Sequence, residues 1–171
     1  MYLGRILVGS ALFLSACTNT EPPPTEYSVA VDPTFTPDQT DALVAAFENW
    51  KAAVPELTLT YTIAACDNPA PQQVCVHPVT APPDAALEII GETYPGPSAS
   101  ANVYVFVDRM QPVGEATSQA ALMQQTMAHE LGHAMGLRHA ASGTLMAANA
   151  IEQSPTVTSD DVSQFWSLRG K

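Results

Sequence analysis

Three of the chain's four histidines fall in one short run, His129-Glu130-Leu131-Gly132-His133-Ala134-Met135-Gly136-Leu137-Arg138-His139. On an α-helix His129 and His133 are i and i+4, so they lie one above the other on the same face. Two imidazoles placed in this way can grip one metal ion. Glu130 follows the first of them and can reach a water held by that ion, where a general base is needed. Gly136 falls where the helix should stop, because glycine readily enters the left-handed conformation that ends a helix and turns the chain back. The turn would carry His139 to a third ligand position. Three protein ligands leave a fourth position for water, which is the arrangement of a catalytic site rather than a closed structural one. Helical histidines can also serve packing alone, but three at this spacing, beside Glu130 and Gly136, point to a metal.

Ser142-Gly143-Thr144-Leu145-Met146 follows, with Met146 seven positions after His139. By itself Met146 reads as a core methionine. The extended histidine motif followed by such a methionine resembles the metzincin metalloproteases and their Met-turn. His139 to Met146 most resembles the matrixin branch. Thr158-Ser159-Asp160-Asp161, continuing to Gly170, is similar to the matrixin closing helix, which opens with Ser/Thr-x-Asp-Asp and ends in Leu-Tyr-Gly. Arg169 stands here at the tyrosine position. The resemblance is close from the histidine motif onward and rests on layout in the N-terminal half.

That resemblance implies an α+β fold of the metzincin sandwich type. A twisted mixed sheet would lie above a zinc-binding active-site helix, with the Met-turn and a C-terminal helix below and the cleft between. It implies one catalytic Zn2+ on His129, His133 and His139, with Glu130 as general base. Met146 would sit buried beneath the metal without bonding to it. The activity implied is endopeptidase hydrolysis of a peptide or protein substrate. One aspartate of the Asp160-Asp161 pair would support the Met-turn, while the other can pair with a mature N-terminal amine in matrixins; a plain helix cap is the simpler reading of both. No tyrosine closely follows Met146, so an extra tyrosine ligand is not expected. No calcium loop is recognisable, and structural Ca2+ is left open without support.

The elements that must position these residues are legible in part. Tyr27 to Asp32 suits a strand ended by Pro33. Thr36-Pro37-Asp38-Gln39 carries a helix start, with a capping threonine, proline at the first helical position and glutamine closing a capping box. Leu43, Phe47, Trp50 and Val54 then share one helical face. Leu57 to Ile63 alternates with period two and predicts a strand. Gln73 to Val79 predicts a short strand that carries His77, which is expected to be exposed or hydrogen-bonded. Leu87 to Tyr94 reads as a strand, though Pro83 to Glu88 could also begin a helix; by resemblance the strand is the edge along which substrate would lie. Asn102 to Asp108 predicts a strand buried on both faces. A helix from about Ser118 to Leu137 carries the histidine motif, and a last helix begins near Ser159. Ala147 to Ile151 would wall the specificity pocket.

The N-terminus reads as a leader. Arg5 precedes a short apolar run from Ile6 to Leu14, and Leu14-Ser15-Ala16-Cys17 resembles a bacterial lipobox. This implies a signal peptide over 1–16, lipid on Cys17, a Pro-rich tether over 17–26 and a catalytic domain over 27–171. An ordinary signal peptide with a coincidental cysteine is the other reading. Thr18 after the lipid site gives no inner-membrane retention signal, so an exported lipoprotein at the outer membrane is expected. Cys66 and Cys75 suggest a disulfide closing a Pro-rich loop in an exported chain. A loop that short would contribute about 2–3 kcal/mol; two free thiols are the alternative.

The formal charge is −11 and becomes −12 once Arg5 leaves with the leader. Such acidity disfavours nucleic acid and anionic lipid surfaces as partners, so membrane association is expected through the lipid anchor only. A monomer is expected. Two rival readings stay open. One is a catalytically inactive zinc-binding lipoprotein acting as a binding or assembly module. The other is a zinc hydrolase acting on something other than peptides.

Overall fold

A computed structural model describes residues 22–80, 90–111 and 118–171. In chain order the main elements are β1 (Glu26–Val31), α1 (Pro37–Ala53), β2 (Thr58–Ile63), β3 (Gln73–Val79), β4 (Gly91–Pro95), β5 (Ala101–Phe106), α2 (Gln119–Ala134) and α3 (Ser159–Ser167). The sheet order is β2-β1-β3-β5-β4. All neighbours are parallel except β4, which runs antiparallel to β5 at one edge. The α+β fold with a mixed sheet is therefore the one expected.

Local signals explain α1. The Thr36 hydroxyl accepts from the Gln39 backbone N–H, and the Gln39 side chain accepts from the Thr36 N–H in return. Pro37 opens the helix. Leu43, Phe47 and Trp50 form its buried face, and Val54 is buried just beyond it. Trp50 does more than fill space. Its Nε1–H donates to the Ala128 carbonyl at 2.8 Å, tying α1 to α2 across the core. This satisfies a buried donor that would otherwise cost about 1–3 kcal/mol.

Alternate residues of β1, β3 and β5 meet the helices. Val29, Val31, Val74, Val76, Val103 and Val105 are all buried in one core with the helix side chains. The expectation that β5 is buried on both faces is corrected here. Asn102 and Tyr104 are only half-buried, because their side of the sheet carries an aromatic and polar layer. Tyr104 stacks on His77 with centroids 5.1 Å apart and meets Tyr94 edge-on at 5.6 Å. His77 Nε2 lies 3.2 Å from Asn102 Oδ1, matching the hydrogen-bonded reading. The described part of the predicted edge strand is β4, Gly91–Pro95, one residue beyond the predicted end; 81–89 lie outside the described residues.

Cys66 and Cys75 are disulfide-bonded, with Cα atoms 5.5 Å apart. Cys75 is fully buried in β3, so the bridge fastens the loop after β2 to the middle of the sheet. Cys17 lies outside the described residues.

The domain engages the chain slightly before Tyr27. The Pro24 carbonyl accepts from Arg169 Nε at 2.9 Å and Nη2 at 2.7 Å, and the Thr25 carbonyl accepts from Thr58 N–H. Arg169 also donates to the Phe165 carbonyl and lies 3.5 Å over the Phe165 ring. An arginine at this position thus clamps the end of the Pro-rich segment onto α3. Among the described residues no helix is long and apolar enough to cross a membrane.

Candidate active site

The Ser118 hydroxyl caps α2 by accepting from the Ala121 N–H, and the helix ends at Ala134. Gly136 then takes φ +94°, a conformation that favours glycine. Gly136 N–H donates to the His133 carbonyl and Leu137 N–H to the Gly132 carbonyl, which closes the helix and reverses the chain. His139 is delivered beside the helix as the spacing predicts. Ligand nitrogens of His129, His133 and His139 all lie within 4.8 Å of one another. His133 Nε2 and His139 Nε2 are 3.1 Å apart.

The hydrogen bonds fix which nitrogens are free. His129 Nδ1 lies 2.8 Å from the Leu145 carbonyl, and His133 Nδ1 lies 2.9 Å from the Leu137 carbonyl. A carbonyl only accepts, so each Nδ1 carries the hydrogen and each Nε2 keeps a lone pair. Gln153 Nε2 also lies 3.0 Å from His129 Nδ1, but two donors cannot bond to each other. The amide donates instead to the Ala147 carbonyl at 3.0 Å. Burial lowers the His129 pKa to about 4 and lowers that of His133, so both rings are neutral at physiological pH. Neutral imidazoles with converging lone pairs, each held by a carbonyl behind it, fit a zinc ion.

Glu130 follows on the same helix and faces the edge strand. Burial raises its pKa to about 7, partly opposed by the Thr93 hydroxyl, which lies 2.7 Å from Oε2. A bound cation nearby would favour the carboxylate again. The metal-free protein gives a test with a definite sign. Raised above its ordinary 4.5, Glu130 stabilises the fold fully below about pH 4.5, and this is lost as pH rises through about 7. His129, depressed from 6.5, has the reverse sense: its contribution is full above about pH 6.5 and lost as pH falls through about 4. Glu130→Gln removes the first dependence and keeps the second. Metal-free Glu130→Gln should therefore gain about 3 kcal/mol on wild type between pH 4.5 and 7.5. Urea unfolding of both proteins at the two pH values checks this, and parallel stability curves would contradict it.

Beneath the histidines, Met146 is fully buried. Its backbone N–H and that of Leu145 donate to the two carboxylate oxygens of Asp161 at 3.1 and 3.0 Å. Asp161 also accepts from the Thr158 N–H and hydroxyl. Of the acidic pair, Asp161 is the one that supports the turn, and it caps α3 as well; Asp160 is exposed. Asp161 holds the strand of chain whose Leu145 carbonyl orients His129.

These groups open on one cleft of about 870 Å³. Its upper wall is Ile90 to Pro95 of β4 and its floor is the histidine cluster with Glu130. Ala148, Ala150 and Gln153 line the far side, so two residues of the expected stretch Ala147 to Ile151 wall the cleft, while Ala147 is buried. Sequence reasoning missed three polar residues here. Thr93 is one; Gln153 and Gln125 are the others, fully or nearly buried and joined by a Gln125 Nε2 to Gln153 Oε1 bond of 3.2 Å. Their amide chemistry carries no spacing signal. Only the fold shows that they lie behind His129.

A mixed five-stranded sheet over a helix whose two histidines converge with a third from the following turn, with a buried methionine turn below, defines the metzincin class. The chain matches the matrixin model of the peptidase M10 family over residues 25–170 and belongs to the matrixin family. No curated protein matches it significantly. Among solved structures it is similar to archaemetzincin from Methanopyrus kandleri, with 13% identity and a TM-score of 0.59 over 86% of this chain and 97% of that one. At that identity the likeness is one of fold.

Proposed function

We propose that the protein is a zinc-dependent endopeptidase. The observation that carries this reading is the placing of Glu130 and three metal-fitting histidines in one cleft beneath a sheet edge. His129, His133 and His139 would hold the ion. When bound, zinc polarises the scissile carbonyl and makes the attacking water more acidic. Glu130 takes the proton of that water as general base and returns it to the leaving amine. The carbonyls of Leu145 and Leu137 keep His129 and His133 in the tautomer that offers Nε2. Among the described residues β4 is an edge strand of the sheet, where an extended peptide could add by backbone hydrogen bonds and so fix the scissile bond over the cleft. Ala148 and Ala150 leave room for a side chain beside the histidines.

The proposal includes location. The leader over 1–16 and the lipobox at Cys17 support export, lipid attachment and residence at the outer membrane. In that setting the Pro-rich segment runs from the lipid to Pro24, where Arg169 takes hold of it.

Chelation tests the activity. Treating the protein with a chelator should abolish cleavage of a diverse peptide mixture, and one equivalent of zinc should restore it. Zinc-loaded protein that cuts no peptide but hydrolyses another ester or amide would favour a non-peptide substrate. Zinc-loaded protein that hydrolyses nothing would favour a binding or assembly role.

A further inference from the structure

We infer that Thr93, on the edge strand, is the positioning residue that aims Glu130 at the water. The inference rests on the peptidase reading. Thr93 is in register with Val103, whose side chain is fully buried, so both point from the sheet toward α2. The Thr93 hydroxyl lies 2.7 Å from Glu130 Oε2 and 3.0 Å from the Glu130 backbone carbonyl. Among the described residues no other side chain donates to that carboxylate. Threonine is β-branched and stiff at χ1, so the hydroxyl is aimed rather than free to swing.

The same strand holds the rest of the side chain. A Cβ at Gly91 would come within 3.0 Å of Glu130 Cγ, 3.1 Å of Glu130 Oε1 and 2.9 Å of Thr126 Cγ2. Glycine therefore lets the strand backbone lie directly on the glutamate. With Oε2 tied to Thr93 and the stem packed on Gly91, a side chain with three rotatable bonds is confined to one pose. A general base must sit within hydrogen-bond reach of the proton it takes, so this confinement bears on turnover. Because β4 is also the strand that would pair with substrate, one element would both dock the peptide and hold the base.

The test compares Thr93→Val, which keeps shape and loses the hydroxyl, with Thr93→Ser, which keeps the hydroxyl. In the zinc-loaded protein Thr93→Val should lower kcat by about 10–100-fold with KM little changed, as for other residues that orient a catalytic group. Thr93→Ser should recover most of the loss. Zinc content and Tm should match wild type in both. A crystal structure of Thr93→Val should show the Glu130 carboxylate displaced from its wild-type position. Unchanged kcat in Thr93→Val, an equal loss in Thr93→Ser, or an unmoved Glu130 would overturn the inference. If wild type itself cuts no peptide, the peptidase reading fails, and the crystal comparison still decides whether Thr93 holds Glu130.

Discussion

Glu130→Gln should lower kcat by about three orders of magnitude while zinc content stays at the wild-type level. The substitution changes one atom and keeps the shape. Its amide oxygen can still accept from Thr93, so the pose of the side chain should survive. An amide cannot take a proton from water at neutral pH, and that is the lost function. The three histidines are untouched, and the carbonyls behind His129 and His133 remain in place. Single-turnover kinetics with metal analysis on the same samples would check this. Loss of zinc together with activity would mean that Glu130 acts in holding the site together rather than in chemistry.

Asp161→Ala should be the most destabilising single change at the site. The carboxylate is fully buried and accepts from three backbone N–H groups and one hydroxyl, at 2.7 to 3.1 Å. Removing it strands the N–H groups of Leu145 and Met146 away from water and uncaps α3. The expected loss is about 3–5 kcal/mol. The effect should also reach the metal. Leu145 presents the carbonyl that orients His129, so zinc affinity should fall by about 10–100-fold. Urea unfolding of the metal-free protein measures the first effect and competition with a chromophoric chelator the second. Asp161→Asn should be milder, since one oxygen still accepts. A Met-turn that kept both stability and zinc affinity without Asp161 would show that the packing of Met146 on Gly132 suffices to hold it.

The three-histidine cluster was legible in the sequence because helical periodicity converts spacing directly into geometry. His129 and His133 needed only a helix, and His139 needed only Gly136 to turn the chain. The start of α1 was equally plain, because Thr36, Pro37 and Gln39 each act within four residues of one another. Relations across the fold were less legible. That β5 carries a half-buried face depends on Tyr104 meeting His77 and Tyr94, residues brought together only by strand order. Arg169 could be noticed as a departure from the tyrosine of the family, but its bond to Pro24 spans almost the whole chain. Thr93 is one threonine among many until the register of β4 on β5 turns it toward Glu130. Gln125 and Gln153 likewise sit in unremarkable surroundings in the sequence and become a buried pair only when the turn folds back over α2.

If this cleft hydrolyses peptide bonds with zinc and Glu130, solvent oxygen must enter each new C-terminus. The most direct measurement is digestion of a diverse unfolded-protein mixture in ¹⁸O-enriched water, with new termini read by mass spectrometry. The zinc-loaded wild type should generate new C-termini carrying one ¹⁸O from solvent. Chelated wild type and zinc-loaded Glu130→Ala should generate none. A folded, zinc-loaded wild type that produces no new termini, or a Glu130→Ala protein that produces as many as wild type, would contradict the account.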